Sequence, residues 1–144
     1  MPNTVFADKT ATRPNGFQPA SLGDAQFVFD AILAEASCGH FSQDYLLHCS
    51  HEGLALQIES SITHRKCPTH RKPLSDSEIY IYRDGDTTDG FSWVVEAEKH
   101  GEKELYLLAM SSSHRRKGIG KILILETISQ YPPKTKFIAR LYPA

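Results

Sequence analysis

The sequence predicts an α/β chain: a mixed, mostly antiparallel sheet flanked by helices, with one parallel strand pair near its end. Three observations predict it. Helical texture runs from Ser21 to Ile58, strand texture with turn chemistry takes over at Glu78, and between Leu105 and Gln130 an apolar strand passes through a polar loop into a helix. A strand that follows such a helix lies parallel to the one before it, by a right-handed crossover.

Composition narrows the class. A chain of 144 residues has the length of one domain, and we expect residues 16–144 to form it, preceded by a mobile arm over residues 1–15. A hydrophobic share of 40% against 23% charged residues argues for a folded core. The net charge of -1 argues against a surface built for nucleic acid. No apolar run approaches the roughly 18 residues of a membrane span, and the first residues lack the basic start and apolar stretch of a secretory signal. Three cysteines, Cys38, Cys49 and Cys67, without a CxxC pair, suit a reducing cytoplasm rather than a disulfide framework.

Taken in order, residues 17–19 read as a first strand. Ser21 or Asp24 caps a helix through Ala36, with Phe27, Phe29, Ile32 and Leu33 as its buried positions. Gly39 breaks it, and a second helix starts near Ser42 or Asp44, carrying Tyr45, Leu46, Leu54, Leu56 and Ile58. Residues 63–77 read as a hydrophilic loop. In residues 78–83, Ile79 and Ile81 alternate with Tyr80 and Tyr82, the period of a strand. Asp84-Gly85-Asp86 and Asp89-Gly90 supply turns, and residues 91–98 a second strand of a meander. Residues 104–110 are almost continuously apolar, which predicts burial on both faces. Gly118 or Ile119 opens a helix to about Gln130, stopped by Pro132 and Pro133, and residues 136–141 form a last strand.

The chemistry concentrates where that strand hands over to that helix, at Arg115-Arg116-Lys117-Gly118-Ile119-Gly120-Lys121. A helix start leaves backbone N–H groups unpaired and carries partial positive charge. Glycines let the backbone approach a phosphate, and the flanking cations strengthen the attraction. The segment lacks the full GxGxxG of a dinucleotide turn and the GxxxxGK[ST] of a Walker loop. Taken alone, it also describes an ordinary glycine-opened helix behind a solvated basic loop.

With its flanks, the segment resembles the cofactor motif of the GNAT superfamily of N-acetyltransferases: Arg or Gln, two residues, Gly, any residue, then Gly or Ala. Arg115 to Gly120 match it in full, between a strand and a helix in the right order, and the topology agrees from about Phe17 to Leu141. The resemblance implies a parallel, splayed strand pair at the cofactor site and acetyl-CoA as co-substrate. It assigns the pyrophosphate to Arg115, Arg116, Lys117, Gly118, Ile119, Gly120 and Lys121, and the pantetheine arm to the backbone of Leu108, Ala109 and Met110. It further implies an oxyanion-hole N–H near Leu108 and a small-molecule or peptide amine as acceptor. Glu104, eleven residues before Arg115, has a spacing similar to that of the catalytic glutamate in the histone-acetylating branch, and is the candidate general base. Glu96 and Glu98 are second choices. A non-catalytic module that binds or senses CoA is the alternative.

The sequence departs from the family in three places. The loop after the strand reads Ser111-Ser112-Ser113 in place of a common proline, no helix follows the last strand, and no tyrosine matches the usual proton donor, Tyr142 being out of pattern. An open last strand predicts a homodimer through that edge or its adjoining face. Phe41, Tyr45 and Trp93 are candidates for an acceptor pocket, Trp93 being more a core residue. The cluster Cys38, His40, His48, Cys49, His51, His64, Cys67 and His70 has no zinc-finger spacing, and Arg65, Lys66, Arg71 and Lys72 read as a solvated basic loop.

Overall fold

The structure is a computed structural model and describes residues 16–68, 74–85, 87–99, 101–111 and 118–139. The expected arm over residues 1–15, the motif residues Arg115, Arg116 and Lys117, the basic-loop residues Arg71 and Lys72, His70 of the Cys/His cluster, and Tyr142 lie outside the described residues.

In chain order the elements are β1 (Gly16–Pro19), α1 (Ala25–Ser37), α2 (His48–His64), β2 (Lys66–Cys67), β3 (Ser75–Asp84), β4 (Thr87–Glu96), β5 (Glu102–Met110), α3 (Ile119–Ser129) and β6 (Lys136–Ala139). Short 3-10 turns stand at Leu22–Asp24 and Gln43–Leu46. The sheet runs β1-β3-β4-β5-β6, with β2 also paired to β3. Every pairing is antiparallel except the parallel pair β5 and β6, so the predicted mixed sheet and its crossover are both present. No helix among the described residues is long and apolar enough to cross a membrane.

One face of the sheet carries α1 and α2. There Ile81, Phe91 and Trp93 pack with Val28 and Ile32 of α1 and Ile58 of α2. Each fully buried aliphatic side chain contributes about 1.5–3 kcal/mol. On the opposite face α3 buries Leu123 and Thr127, and the Thr127 hydroxyl shares a hydrogen bond of 2.7 Å with Ser92. The Asp24 carboxylate accepts the N–H of Ser21 and meets the Arg83 guanidinium at 2.6 Å, both partners being buried. This pair ties the start of α1 to β3; removing one partner of such a pair costs about 3–5 kcal/mol.

Several expectations are corrected. The inward face of α1 is Val28, Ile32, Glu35 and Ala36, while Phe27, Phe29 and Leu33 are its half-buried flanks. The second helix is interrupted: Leu47 is extended, so Tyr45 sits in a separate 3-10 turn and α2 begins at His48, with Leu56 facing solvent. The expected loop over residues 63–77 contains β2 and the first part of β3. Its buried Ser77 looked like loop chemistry, but it accepts the Trp93 indole N–H at 2.8 Å and bonds Ser61 at 2.6 Å. Gly90 lies inside β4, where a Cβ would meet the Ala109 carbonyl and Leu123 at 2.9 Å. The turn is made by Gly85, at φ +64°. β5 is not buried on both faces, since Tyr106 is 37% exposed.

Candidate functional site

The site grows from an irregularity in β5. Trp93 stands opposite Leu107 and Val94 opposite Leu105, so Tyr106 is an extra residue, a β-bulge. The bulge turns Tyr106 toward the face of α1 and α2. Its ring meets Trp93 edge-on with centroids 5.3 Å apart, and its hydroxyl meets that of Tyr45 at 3.0 Å. Below the bulge Glu104, 5% exposed, stands opposite Val95 on the same face.

Above the bulge, the ladder decides which backbone groups are available. Ser111 N–H donates to the Asp89 carbonyl at 2.7 Å. By the alternation of an antiparallel pair, Ala109 and Leu107 then exchange bonds with Phe91 and Trp93, while the N–H and C=O groups of Leu108 and Met110 point away from β4. They point to the side of β6, whose pairing with β5 reaches only Leu105 and Ala139 among the described residues.

A cavity of about 560 Å³ opens at that place. It is lined by His40, Phe41, Ser42 and Tyr45 from the segment between α1 and α2, by residues 104–108 of β5, by Ala139 of β6 and by Ile124 of α3. Tyr45 and Ile124 belong to opposite faces of the sheet, so the lining of the cavity beside β5 draws on both faces. His40 Nδ1 lies 2.7 Å from Glu35 Oε1. Burial, and then the neighbouring Tyr106 hydroxyl, push the Tyr45 phenol far above its ordinary range, so it stays protonated.

The start of α3 lies at the end of β5. Gly118 caps the helix at φ +77°, a conformation that disfavours any Cβ. Gly120 has a different reason to be small: a Cβ there would meet Met110 Cε at 2.8 Å, so the glycine lets α3 approach β5. Among the described residues, the first hydrogen bond back into the helix is from Ile122 N–H to the Gly118 carbonyl. The N–H groups of Ile119, Gly120 and Lys121 thus belong to the open first turn.

The structure brings Glu104, Leu108, Phe41 and Tyr45 around one cavity. It does not bring Glu96 or Glu98 there: Glu96 accepts the Asp76 N–H at 2.7 Å, and Glu98 is exposed beyond the end of β4. Trp93 is a core residue, 1% exposed. Ala109 is buried and its backbone is engaged with β4. Arg65 and Lys66 pair with Glu78 and Asp76, and no group of three or more metal-ligating side chains occurs among the described residues. Sequence reasoning missed Tyr106, His40 and Ser42. No sequence signal marks the bulge that turns Tyr106, which depends on pairing with β4.

No family model matches the chain, and no curated protein matches it. Solved structures do. A protein of Staphylococcus aureus assigned to the GNAT family acetyltransferases is 15% identical, over 86% of this chain and 98% of that one, with a TM-score of 0.60. The PaiA N-acetyltransferase of Thermoplasma acidophilum, solved with coenzyme A, is 16% identical over 79% of this chain and 69% of that one, TM-score 0.55. A protein of Desulfovibrio desulfuricans assigned to the same family is 15% identical over 79% of this chain, TM-score 0.56. The chain spans 64% of that protein, less than two thirds of its length. The fold is a mixed α/β sheet with a parallel pair and helices on both faces. More particularly, it is the fold of the GNAT acetyltransferases.

Proposed function

We propose that the chain is an acetyl-CoA-dependent N-acetyltransferase, acting on a primary amine by direct attack in a ternary complex. The observation that carries this reading is the cavity beside β5 and β6, with Glu104 and Leu108 both on its wall and the β5–β6 pairing ending, among the described residues, at Leu105.

The residues fit the co-substrate. Leu108 and Met110 have outward backbone groups for a pantetheine arm laid alongside as an added strand; Ala109 serves by holding β5 to β4. The open first turn of α3 at Gly118, Ile119, Gly120 and Lys121, with the cations Arg115, Arg116 and Lys117, suits a pyrophosphate. Bound acetyl-CoA supplies an acetyl group activated as a thioester. The Leu108 N–H polarises the carbonyl to be attacked.

Glu104 takes a proton from the acceptor's ammonium, whose ordinary pKa of about 10.4 keeps a free amine scarce at neutral pH. The amine nitrogen forms its bond to the acetyl carbon as the carbon–sulfur bond breaks. Of the two protons the ammonium loses, one rests on Glu104 and passes to water, and the other goes to the departing sulfur. Tyr45, held protonated, orients groups as a donor and does not act as a base.

The test is thiol release from acetyl-CoA across a panel of amines. Release that depends on an amine supports the reading. Tight CoA binding with no release from any amine would replace it with a CoA-binding or sensing module.

A further inference from the structure

The turn after α1 carries a paired histidine that proton transfer to Glu104 alone leaves unused. Gly39, at φ +83°, reverses the chain behind α1. The Glu35 carbonyl then accepts the N–H groups of His40 at 2.9 Å and Phe41 at 3.4 Å, and the Gln43 amide donates to the Ala36 carbonyl. With that backbone fixed, His40 Nδ1 lies 2.7 Å from Glu35 Oε1. A carboxylate only accepts, so Nδ1 carries the hydrogen and Nε2 keeps its lone pair. Glu35 stands on the buried face of α1, whereas the His40 side chain is half-exposed and lines the cavity that Glu104 also lines. His40 thus meets both cavity and solvent. Among the described residues, the titratable groups that pair with it or share its cavity are Glu35 from α1, Tyr45 from the 3-10 turn, and Glu104 and Tyr106 from β5.

Resting on the acetyltransferase reading, we propose that His40, oriented by Glu35, is the proton relay of the site: the proton that Glu104 takes from the acceptor's ammonium moves on to His40 Nε2 and then to solvent. The first transfer breaks an N–H bond of the ammonium and makes an O–H bond on Glu104. The second, carried by water in the cavity, restores the Glu104 carboxylate and forms an imidazolium facing Glu35. Release from Nε2 to bulk water restores the ring. Glu104 is buried, and His40 provides the exit. The drive is a better match in proton affinity. An ammonium ordinarily holds its proton up to a pH of about 10.4, an imidazole to about 6.5 and a carboxylate to about 4.3. An imidazole as final acceptor therefore frees roughly a hundredfold more amine than a carboxylate does.

The experiment uses the full chain with acetyl-CoA and the fastest of phenethylamine, spermidine and kanamycin, in dilute buffer near neutral pH. His40→Ala should lower kcat at least about tenfold, and millimolar imidazole should restore at least about half of the lost rate. Glu104→Gln should gain nothing from imidazole. Nitrogen NMR of the imidazole rings reads the pairing without any reaction. His40 should carry its hydrogen on Nδ1 in the parent and shift toward the Nε2 form in Glu35→Gln, whose amide can donate to Nδ1.

An unchanged kcat in His40→Ala, or a loss that imidazole does not mend, overturns the relay and leaves acetyl transfer standing. So does a parent His40 ring that carries its hydrogen on Nε2 alone. Should His40→Ala fail to fold, Glu35→Gln takes its place, with a loss in kcat of at least about threefold; parent-like turnover there overturns the relay as well. No thiol release from any of the three amines overturns acetyl transfer, and the relay with it.

Discussion

The hydroxyl groups of Tyr45 and Tyr106 meet at 3.0 Å although 61 residues separate them in the chain. One comes from an isolated 3-10 turn, the other from a bulge in β5. The bond joins the segment between the helices to the strand that carries Glu104, and so fixes the width of the cavity. Tyr45→Phe and Tyr106→Phe should each lower stability by about 0.5–1.5 kcal/mol, the net worth of one hydrogen bond. The double variant should lose less than the sum, because the second deletion removes a group already without its partner. Denaturant unfolding of the four proteins measures this; strict additivity would mean the two hydroxyls do not interact in solution.

Glu104 is buried on the cavity wall, so an isosteric change is the informative one. In the parent, kcat/KM should rise with pH through one ionisation. Glu104→Gln should lower it about a hundredfold or more and flatten that limb. A variant that is slower but keeps the parent's pH profile would assign Glu104 to packing.

At the helix start, Gly120→Asp should weaken CoA at least roughly tenfold, about 1.4 kcal/mol, by opposing the pyrophosphate with negative charge. The contact with Met110 Cε supplies a control. Gly120→Ala meets the same flexible end without the charge, and should keep most of the affinity. Equal losses in both variants would trace the effect to the packing of α3 on β5.

Half-buried Tyr131 and Tyr45, with buried Tyr80 beside Tyr131, set the behaviour at high pH. Burial first, then its hydrogen bonds to Glu78 and Tyr80, push Tyr131 far above the ordinary tyrosine value; its hydroxyl donates to Glu78 at 2.6 Å. Tyr45 is raised as well, by burial first. Above about pH 10 the unfolded chain loses these protons while the folded chain keeps them, so stability present below that pH falls as pH rises further. Thermal melts from pH 9 to 11 should decline, and Tyr131→Phe should make the decline shallower.

We further propose a homodimer through the outer edge of β6. Among the described residues this strand pairs on one side only, with β5, and an open edge recruits partners. Light scattering should give twice the chain mass at micromolar concentration. A 16.1 kDa particle unaffected by dilution would overturn it.

Local pattern carried the sheet's centre and the crossover. The alternation at Ile79 to Tyr82, the strand before Ser111, Gly118 at the helix start and the prolines after Gln130 are all short-range signals, set by backbone sterics and by the period of side chains along one segment. They were enough to find β3, β5, α3 and β6, whereas Glu104 and Leu108 were singled out by the resemblance of the motif and its flanks to a family. Long-range pairing decided the rest. Ser75 and Ser77 look like loop residues until β2, Ser61 and Trp93 satisfy them. Gly90 looks like a turn until α3 and β5 press on it. Glu104 differs from Glu96 and Glu98 only in which wall it reaches. Tyr106 enters the cavity because β5 has one residue more than β4 can pair with, and that mismatch exists only once the two strands are aligned. The residue types available to the site were therefore written along the chain, while the gap beside β5, and the side chains that face it, arose only when strands distant in sequence paired.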